Sequence, residues 1–408
     1  MTLETSLFAT RCRNFLDRHA ERIDEAGSVS ADASDEIPVF DSPEPHEEQV
    51  QLAAAREWQR ELFDAGLAWI TGPPEYGGAG LDDEHQLLFE EMCAEYRLPK
   101  LDTVFVTLHI VLPGIVASAS EELKRRLVPS MLRGDTIACQ LFSEPGAGSD
   151  LSAVSTRAVP VESTGTGSGE WVASGQKVWT TGGHYSDVGL LLARTGDDPK
   201  PHRRLTMFVV DMHDPAIEVR PLREMSGGAH FNEVFIDNLR ISDDRRVGEV
   251  NGGWRVAMAT LGGERKAVGY SRDAPNWVVV LRLVELTRKA ALQGPVDPSV
   301  VDAVVDCYVL GSVIERTAAS LSAAERRGEL IGPEMSTLKL LRNRLLSKCM
   351  DTARHVLGMN MLADSGEWGT YAWGYASTLA PGLRIGGGTD EIQRNVIGER
   401  VLGLPRGR

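Results

Sequence analysis

The spacing of apolar residues changes period twice along the chain. From residue 1 to about 136 it follows a helical repeat, with amphipathic or apolar helices predicted at 5–23, 47–65, 82–96, 104–119 and 121–133, the last closed by Gly134. The acidic, Pro- and Gly-containing stretch 27–45 reads as a solvated loop, and Thr71-Gly72-Pro73-Pro74-Glu75-Tyr76-Gly77-Gly78-Ala79-Gly80 as a second loop. Between about 135 and 247 short β-prone runs alternate with turn signals. Strands are predicted near 152–161, 171–179, 188–193, 205–210, 217–224 and 233–241, with 163–169 as a low-complexity, hairpin-like spacer. Helices return from Gly252, at 254–271, 276–292, 300–327 and 333–362, and a final one starts after Gly386-Gly387-Gly388. This order predicts an α+β fold: a helical domain at 1–136, a small β-sheet or barrel-like domain at 137–247, and a helical, four-helix-bundle-like domain at 248–408.

Composition narrows the function. The 408 residues are 42% hydrophobic and 25% charged, as in ordinary globular chains, and the net charge of −15 argues against nucleic-acid binding. No apolar run approaches the ~18 residues that span a bilayer, so no membrane insertion is expected. Met1-Thr2-Leu3-Glu4-Thr5 has neither a basic region nor an apolar core, and reads as no signal peptide. Cys12, Cys93, Cys139, Cys307 and Cys349 stand singly, which fits buried thiols in a reduced, cytoplasmic compartment. The nine histidines form no HxxxH or HExxH pair, and no metal is expected. A hydrolytic triad of Ser149, Asp150 and His184 lacks a GxSxG elbow, and no GxGxxG opens a helix after a strand.

Four stretches carry candidate chemistry. Phe142-Ser143-Glu144-Pro145-Gly146-Ala147-Gly148-Ser149-Asp150 is a Gly-rich loop that can bring backbone N–H groups close to a ligand; alone it reads as a structural turn. Gly175-Gln176-Lys177-Val178-Trp179-Thr180-Thr181-Gly182-Gly183 ends a β-run with a Trp able to stack on a flat ring and a Thr able to bond a ring nitrogen. A β-domain core Trp with Thr on the pleat is an equal reading. In Gly386-Gly387-Gly388-Thr389-Asp390-Glu391-Ile392-Gln393-Arg394, Asp390 and Gln393 resemble a capping box behind three glycines, a setting for an oxyanion or an ordinary N-cap. Finally, Ala257, Leu261, Glu264 and Val268 share a helical stripe. A carboxylate there is either paired with a cation or poised with a raised pKa. Glu144, followed by Pro145, reads as a structural hydrogen-bonding residue.

Together these stretches resemble the acyl-CoA dehydrogenase family. The first is similar to its Ser-Glu-Pro-Gly-Ala-Gly-Ser-Asp signature, the second to its Gly-Gln-Lys-x-Trp-x-Thr segment, the third to its Gly-Thr-x-Glu-Ile-Gln segment. Pro73-Pro74-Glu75-Tyr76-Gly77-Gly78 is similar to its N-terminal loop. Gly228-Ala229-His230-Phe231-Asn232-Glu233-Val234 and Glu399-Arg400-Val401-Leu402-Gly403-Leu404-Pro405 resemble actinobacterial members. The resemblance spans nearly the whole chain. It implies FAD between the β-domain and the C-terminal helices. Phe142, Ser143, Gly148 and Ser149 would contact the flavin or its phosphates, Trp179 and Thr181 would pack on the isoalloxazine and bond near N5, and Thr389 and Glu391 would hold the ADP half. Many members carry the base just before the Gly-Thr pair. Here that position is Gly387, whose N–H is left as an oxyanion donor. A smaller branch carries the base in a Glu-Arg pair on an earlier helix, which Glu264-Arg265 matches. Arg265 and Ser149 are then expected beside the substrate.

The implied activity is α,β-dehydrogenation of an acyl-CoA in fatty-acid or steroid side-chain metabolism, with electron-transfer flavoprotein as acceptor. A homo-oligomer (dimer or tetramer) or a hetero-oligomer with a related chain is expected. Two departures bear on assembly. Pro298-Ser299-Val300-Val301-Asp302-Ala303 lacks the Arg that the family sends to a neighbouring subunit's FAD, and His355-Val356-Leu357-Gly358-Met359 stands where Gln-x-x-Gly-Gly is usual. The alternatives are a flavin oxidase or monooxygenase on the same fold, and a non-catalytic subunit of a mixed oligomer.

Overall fold

The computed structural model describes residues 3–23, 37, 39, 43–161, 169–270, 276–327, 329 and 332–405; at 3–4, 263–270, 276 and 326 it describes the backbone alone. The predicted spacer 163–169, except Gly169, and most of the loop 27–45 lie outside the described residues. Chain contacts divide the protein into two units. One comprises Met1–Val29, Ser42–Glu224 and Gly228–Thr260; the other comprises Ser30–Asp41, Met225–Gly227 and Leu261–Arg408.

The first unit opens with α1 (Leu3–His19), β1 (Glu21–Arg22), α2 (Pro45–Asp64), α3 (Asp83–Cys93), β2 (Tyr96–Arg97), α4 (Asp102–Phe105), α5 (Leu112–Ser118) and α6 (Glu121–Leu132). Phe8, Phe15 and Leu16 of α1 bury against Trp58 and Leu62 of α2 and Phe89 and Met92 of α3. Helix starts follow side-chain chemistry: Asp82 accepts from the His85 N–H at 3.2 Å, and Ser120 from the Leu123 N–H at 3.3 Å. The helix predicted at 104–119 is broken into α4, a π-helical turn at Val106–Val111, and α5. Pro113 has no N–H to give the carbonyl of His109, and the backbone widens in the turn before it.

An eight-stranded sheet follows: β3 (Ala138–Leu141), β4 (Arg157–Val161), β5 (Glu170–Thr181), β6 (Val188–Arg194), β7 (Leu205–Asp211), β8 (Ile217–Leu222), β9 (Phe231–Ser242) and β10 (Arg246–Val247). Its order is β10-β7-β6-β4-β5-β9-β8, with β3 parallel to β6. β6 and β7 are buried along nearly their whole length, so Leu190-Leu191-Leu192-Ala193 and Met207-Phe208-Val209-Val210 read as continuous apolar runs. β5 and β9 pair antiparallel and begin with alternating burial, Trp171 and Ala173 facing the core with Leu239 and Ile241. One prediction fails here, and one strand was missed. The strand expected from 152 starts at Arg157, because Leu151–Ala153 forms a 3₁₀ turn in which the Ser152 hydroxyl bonds Asp150 at 2.7 Å. β3, four residues long, was not predicted at all.

The division between units falls within α7 (Gly253–Tyr270). The second unit continues with α8 (Asn276–Gln293), α9 (Pro298–Arg326), α10 (Met335–Leu357), α11 (Tyr371–Leu383) and α12 (Asp390–Val396). Val280, Leu283, Cys307, Ile314, Leu338, Cys349, Trp373 and Leu379 share its core. Ile37 and Val39 are buried in the same core, so at these positions the segment 27–45 is not a solvated loop. α10 ends at Leu357, before Gly358 (φ +56°), rather than at 362, and Gly358–Leu362 is a 3₁₀ turn.

Candidate active site

The first two candidate stretches meet. The loop 142–150 leaves β3, and the Val178 N–H donates to the Ser143 carbonyl at 2.9 Å. Lys177, with no exposed surface, sends its ammonium to the Phe142 carbonyl (3.0 Å), the Leu192 carbonyl (2.7 Å) and Glu144 Oε1 (2.8 Å). The Glu144 carboxylate also accepts from the N–H and hydroxyl of Ser155, both at 2.6 Å, and from the Thr156 N–H at 2.9 Å. Glu144 is therefore structural, as its place before Pro145 suggests. Burial opposes its charge, but the Lys177 ammonium and these donors hold its carboxyl down to about 2. Burial brings the Lys177 ammonium down to about 8 against the upward pull of Glu144. Gly175 is required by this packing: a Cβ there would lie 2.3 Å from Thr156 Oγ1. Lys177 was missed as a structural pin. The signal was its parity with the core-facing Trp171 and Ala173 of the same strand.

Beyond this pin the strand turns a side chain outward. Trp179 has φ +61°, a region strained for a bulky residue, and sits where the β5–β9 register shifts between Lys177 and Thr180. Its indole is 58% exposed and meets Phe231 edge-on, with centroids 5.7 Å apart. Such strain costs on the order of 1–3 kcal/mol and persists only where neighbours enforce it. Here Lys177 is locked on one side, and Thr180 and Thr181 pair with Asn232 and Phe231 on the other. Phe142 is buried, Ser143 half-buried, and Gly148 and Ser149 exposed. Among the described residues no hydrogen bond engages the hydroxyls of Ser143, Ser149 or Thr181, and the buried Thr180 Oγ1 has no partner.

The third stretch lies in the second unit. The helix starts one position earlier than the capping-box reading placed it: Thr389 is the N-cap, accepting from the Ile392 N–H at 3.3 Å. Asp390 is instead drawn inward, accepting from Asn343 Nδ2 at 2.7 Å and Arg384 Nε at 2.8 Å. The Gln393 amide does not reach the N-cap N–H; it donates to the carbonyls of Gly387 (2.9 Å) and Gly388 (3.2 Å). Glu391 is exposed and pairs with Arg394 at 3.5 Å. Gly387 and Gly388 have φ +63° and +89°.

Glu264 and Arg265 lie on the helical backbone of α7, and their side chains are outside the described residues. The Ser149–Asp150–His184 triad is not formed. His184 spends both ring nitrogens on Asn232 (3.0 Å) and Glu48 (2.6 Å). Among the described residues no cluster could hold a metal ion, and no helix is long and apolar enough to cross a membrane.

Residues 28–135, 139–239 and 251–402 match, in order, the N-terminal, middle and C-terminal domains of acyl-CoA dehydrogenase. IpdE1 of Mycolicibacterium smegmatis, an acyl-CoA dehydrogenase, is 34% identical over 373 residues, covering 89% of this chain and 91% of that protein. The chain belongs to the acyl-CoA dehydrogenase family. FadE34 of Mycobacterium tuberculosis, also an acyl-CoA dehydrogenase, is 35% identical over 87% of this chain. The match spans about half of that longer relative, 47% of its length. Among solved structures, the ChsE4–ChsE5 complex from Mycobacterium tuberculosis superposes with a TM-score of 0.71 at 25% identity, covering 100% of this chain and 99% of that one. The predicted α+β fold is thus the acyl-CoA dehydrogenase fold, and the protein is a member of an oxidoreductase family.

The family implies a flavin. An exposed indole held on a strained backbone, an orphaned buried hydroxyl at Thr180 and unengaged hydroxyls at Ser143 and Thr181 fit a flat, polar-edged ring system at β5. Trp179→Gly is expected to leave the unfolding midpoint of the flavin-free protein unchanged or raised, since φ +61° suits glycine. The same change is expected to weaken flavin binding about tenfold. Flavin-fluorescence titration and thermal melts check this pair of outcomes; equal flavin affinity would exclude the indole from a flavin site.

Proposed function

We propose that this chain catalyses FAD-dependent α,β-dehydrogenation of an acyl-CoA thioester to the trans-2-enoyl-CoA, with Glu264 as the base. The observation that carries the reading is Trp179, held outward on strained backbone beside the Ser143 loop in a chain of this family. Phe142, Ser143, Gly148, Ser149, Trp179 and Thr181 would hold the flavin, and Thr389 and Glu391 its ADP portion. When bound, FAD supplies the acceptor for the hydride that leaves the substrate's Cβ.

The chain's own residues supply the rest. A thioester α-proton is too weakly acidic for a free carboxylate, so two devices are needed. An apolar setting would raise the basicity of the Glu264 carboxylate, which would take the proton from Cα. The Gly387 N–H donates to the thioester oxygen as negative charge develops there. Glycine at 387 keeps that donor, gives up the carboxylate other members carry at the position, and leaves room for a bulky acyl group. Arg265 and Ser149 would border the substrate.

Electron-transfer flavoprotein is the proposed acceptor. Reduced protein that persists in air and is reoxidised by electron-transfer flavoprotein supports the dehydrogenase; rapid reoxidation by O₂ supports an oxidase or monooxygenase instead. Assembly with a related chain is also proposed. The segment 298–303 carries no Arg to reach a neighbour's cofactor, and the ChsE4–ChsE5 structure is a complex of two chains. Light scattering of the protein alone and after co-expression with a paralogous chain decides between self-assembly and mixed assembly.

A further inference from the structure

The loop that carries Gly387 is held from behind by side chains of the second unit. Lys339 of α10 donates from its ammonium to the carbonyl of Gly386 and, at 2.6 Å, to that of Gly388. Gln393 donates to the carbonyls of Gly387 and Gly388. Every carbonyl of the three glycines is thereby tied to a side-chain donor. Asp390, fixed by Asn343 and Arg384, anchors the downstream end.

A trans peptide is planar, and its C=O and N–H point in opposite directions. The Gly386 carbonyl and the Gly387 N–H belong to one such plane. Turning that carbonyl toward Lys339 therefore turns the Gly387 N–H away from Lys339. The Gly387 carbonyl, held by Gln393, fixes the Gly388 N–H in the same way. Among the described residues neither N–H meets an acceptor, and Gly387 is exposed. Three consecutive glycines would not hold such a direction unaided, because glycine populates both signs of φ readily. The conformation at 387 and 388 (φ +63° and +89°) is enforced by the donors behind it.

We propose that Lys339 is a positioning residue for the reaction: by gripping the Gly386 and Gly388 carbonyls it aims the Gly387 N–H at the substrate thioester oxygen. Gln393 acts in the same sense through the Gly387 and Gly388 carbonyls. The inference rests on the reading of Gly387 as the enolate donor, and adds the residue that makes a glycine loop rigid enough for that task. A donor off its line loses most of its hydrogen bond, so preorganisation of the loop matters most as the oxygen becomes anionic. Lys339 itself touches neither substrate nor cofactor in this scheme.

The test uses acetoacetyl-CoA, an enolisable thioester, as a probe of anion stabilisation independent of turnover. Its enolate is followed by ultraviolet absorbance as pH is varied, free and bound to the holoprotein. Bound to wild type, it ionises at lower pH than in water. In Lys339→Met the bound ionisation is expected to move up by about one to two pH units, about 10- to 100-fold in the enolate equilibrium, the range set by one hydrogen bond to an anion. Lys339→Arg, which keeps the donors, restores most of the effect. With a substrate that is turned over, kcat falls and KM changes little. Gln393→Met moves the ionisation in the same direction and serves if Lys339→Met does not fold. If Lys339→Met ionises the probe as wild type does, Lys339 is merely structural and the proposal falls while the Gly387 reading stands. If wild type itself leaves the probe as acidic as in water, the Gly387 reading fails and takes this one with it.

Discussion

Glu264→Gln is expected to lower turnover about 10²- to 10⁴-fold, the range of a lost general base, while the flavin stays bound and the fold is unchanged. Glutamine keeps the size and one carbonyl oxygen of the side chain but cannot hold the α-proton at neutral pH. Glu264→Asp keeps the base and withdraws it by one methylene, so a smaller loss is expected, because proton transfer requires hydrogen-bond reach. The expectation rests on two facts of this chain. By the motif resemblance, the other position for a base is residue 387, a glycine with no side chain to serve. The backbone of α7 is helical through Tyr270, so Ala257, Leu261, Glu264 and Val268 keep the helical spacing read from the sequence. Stopped-flow measurement of flavin reduction by substrate isolates the chemical step. A Glu264→Gln protein that reduces its flavin at the wild-type rate would exclude Glu264 as the base.

Glu144→Gln is expected to cost about 3–5 kcal/mol of stability, the usual penalty for leaving a buried charge without its partner. Lys177 is fully buried, and the two carbonyls that remain to it, of Phe142 and Leu192, offer no countercharge. The double variant Glu144→Gln/Lys177→Met is expected to recover much of the loss: the charge is gone, and the Gln carbonyl can still accept from the N–H and hydroxyl of Ser155, which leaves only the Thr156 N–H without its acceptor. The pH profile follows from the same pair. The folded carboxyl lies below its ordinary value of 4.5, so its contribution is present above that value and is lost as pH falls through about 2. Urea midpoints read by tryptophan fluorescence should therefore drop across this acid window in wild type and less steeply in Glu144→Gln. Parallel profiles would contradict the assignment. The variant also loosens the anchor on which the Trp179 bulge depends, so FAD affinity should fall together with stability.

What the sequence showed and what it hid divide along physical lines. The stretches 142–150 and 175–183 were legible because Gly, Pro and Trp at fixed spacing have few uses, and the structure brings the two together through the Lys177–Glu144 pair. That pair was only half legible: Glu144 read as structural, but its partner, 33 positions on, needed the sheet to find it. The start of α12 was misplaced by one residue. Local chemistry favours Asp390 as a cap, but Asn343 and Arg384 supply better partners inside the unit, leaving the role to Thr389. α11 (Tyr371–Leu383) escaped because Gly374 and Pro381 interrupt its pattern. Gly374 is there for close packing, since a Cβ would lie 2.1 Å from the Met361 carbonyl oxygen. β3 is too short to declare a period, and it forms because β6 supplies a parallel partner along its whole length. The grip of Lys339 on the glycine loop had no sequence signal, for it joins residues 47 and 49 positions apart through backbone carbonyls.

In the proposed reaction this chain takes two electrons from an acyl-CoA by removing a proton at Cα and a hydride at Cβ. The most direct measurement is anaerobic titration of the purified, FAD-loaded protein with straight-chain, branched and steroid-side-chain acyl-CoAs, following the visible flavin bands and analysing the thioester released. The account predicts bleaching by at least one of these classes, with one trans-2-enoyl-CoA formed per flavin reduced. A protein that binds FAD yet is bleached by no acyl-CoA, or is bleached without forming an enoyl-CoA, would contradict it.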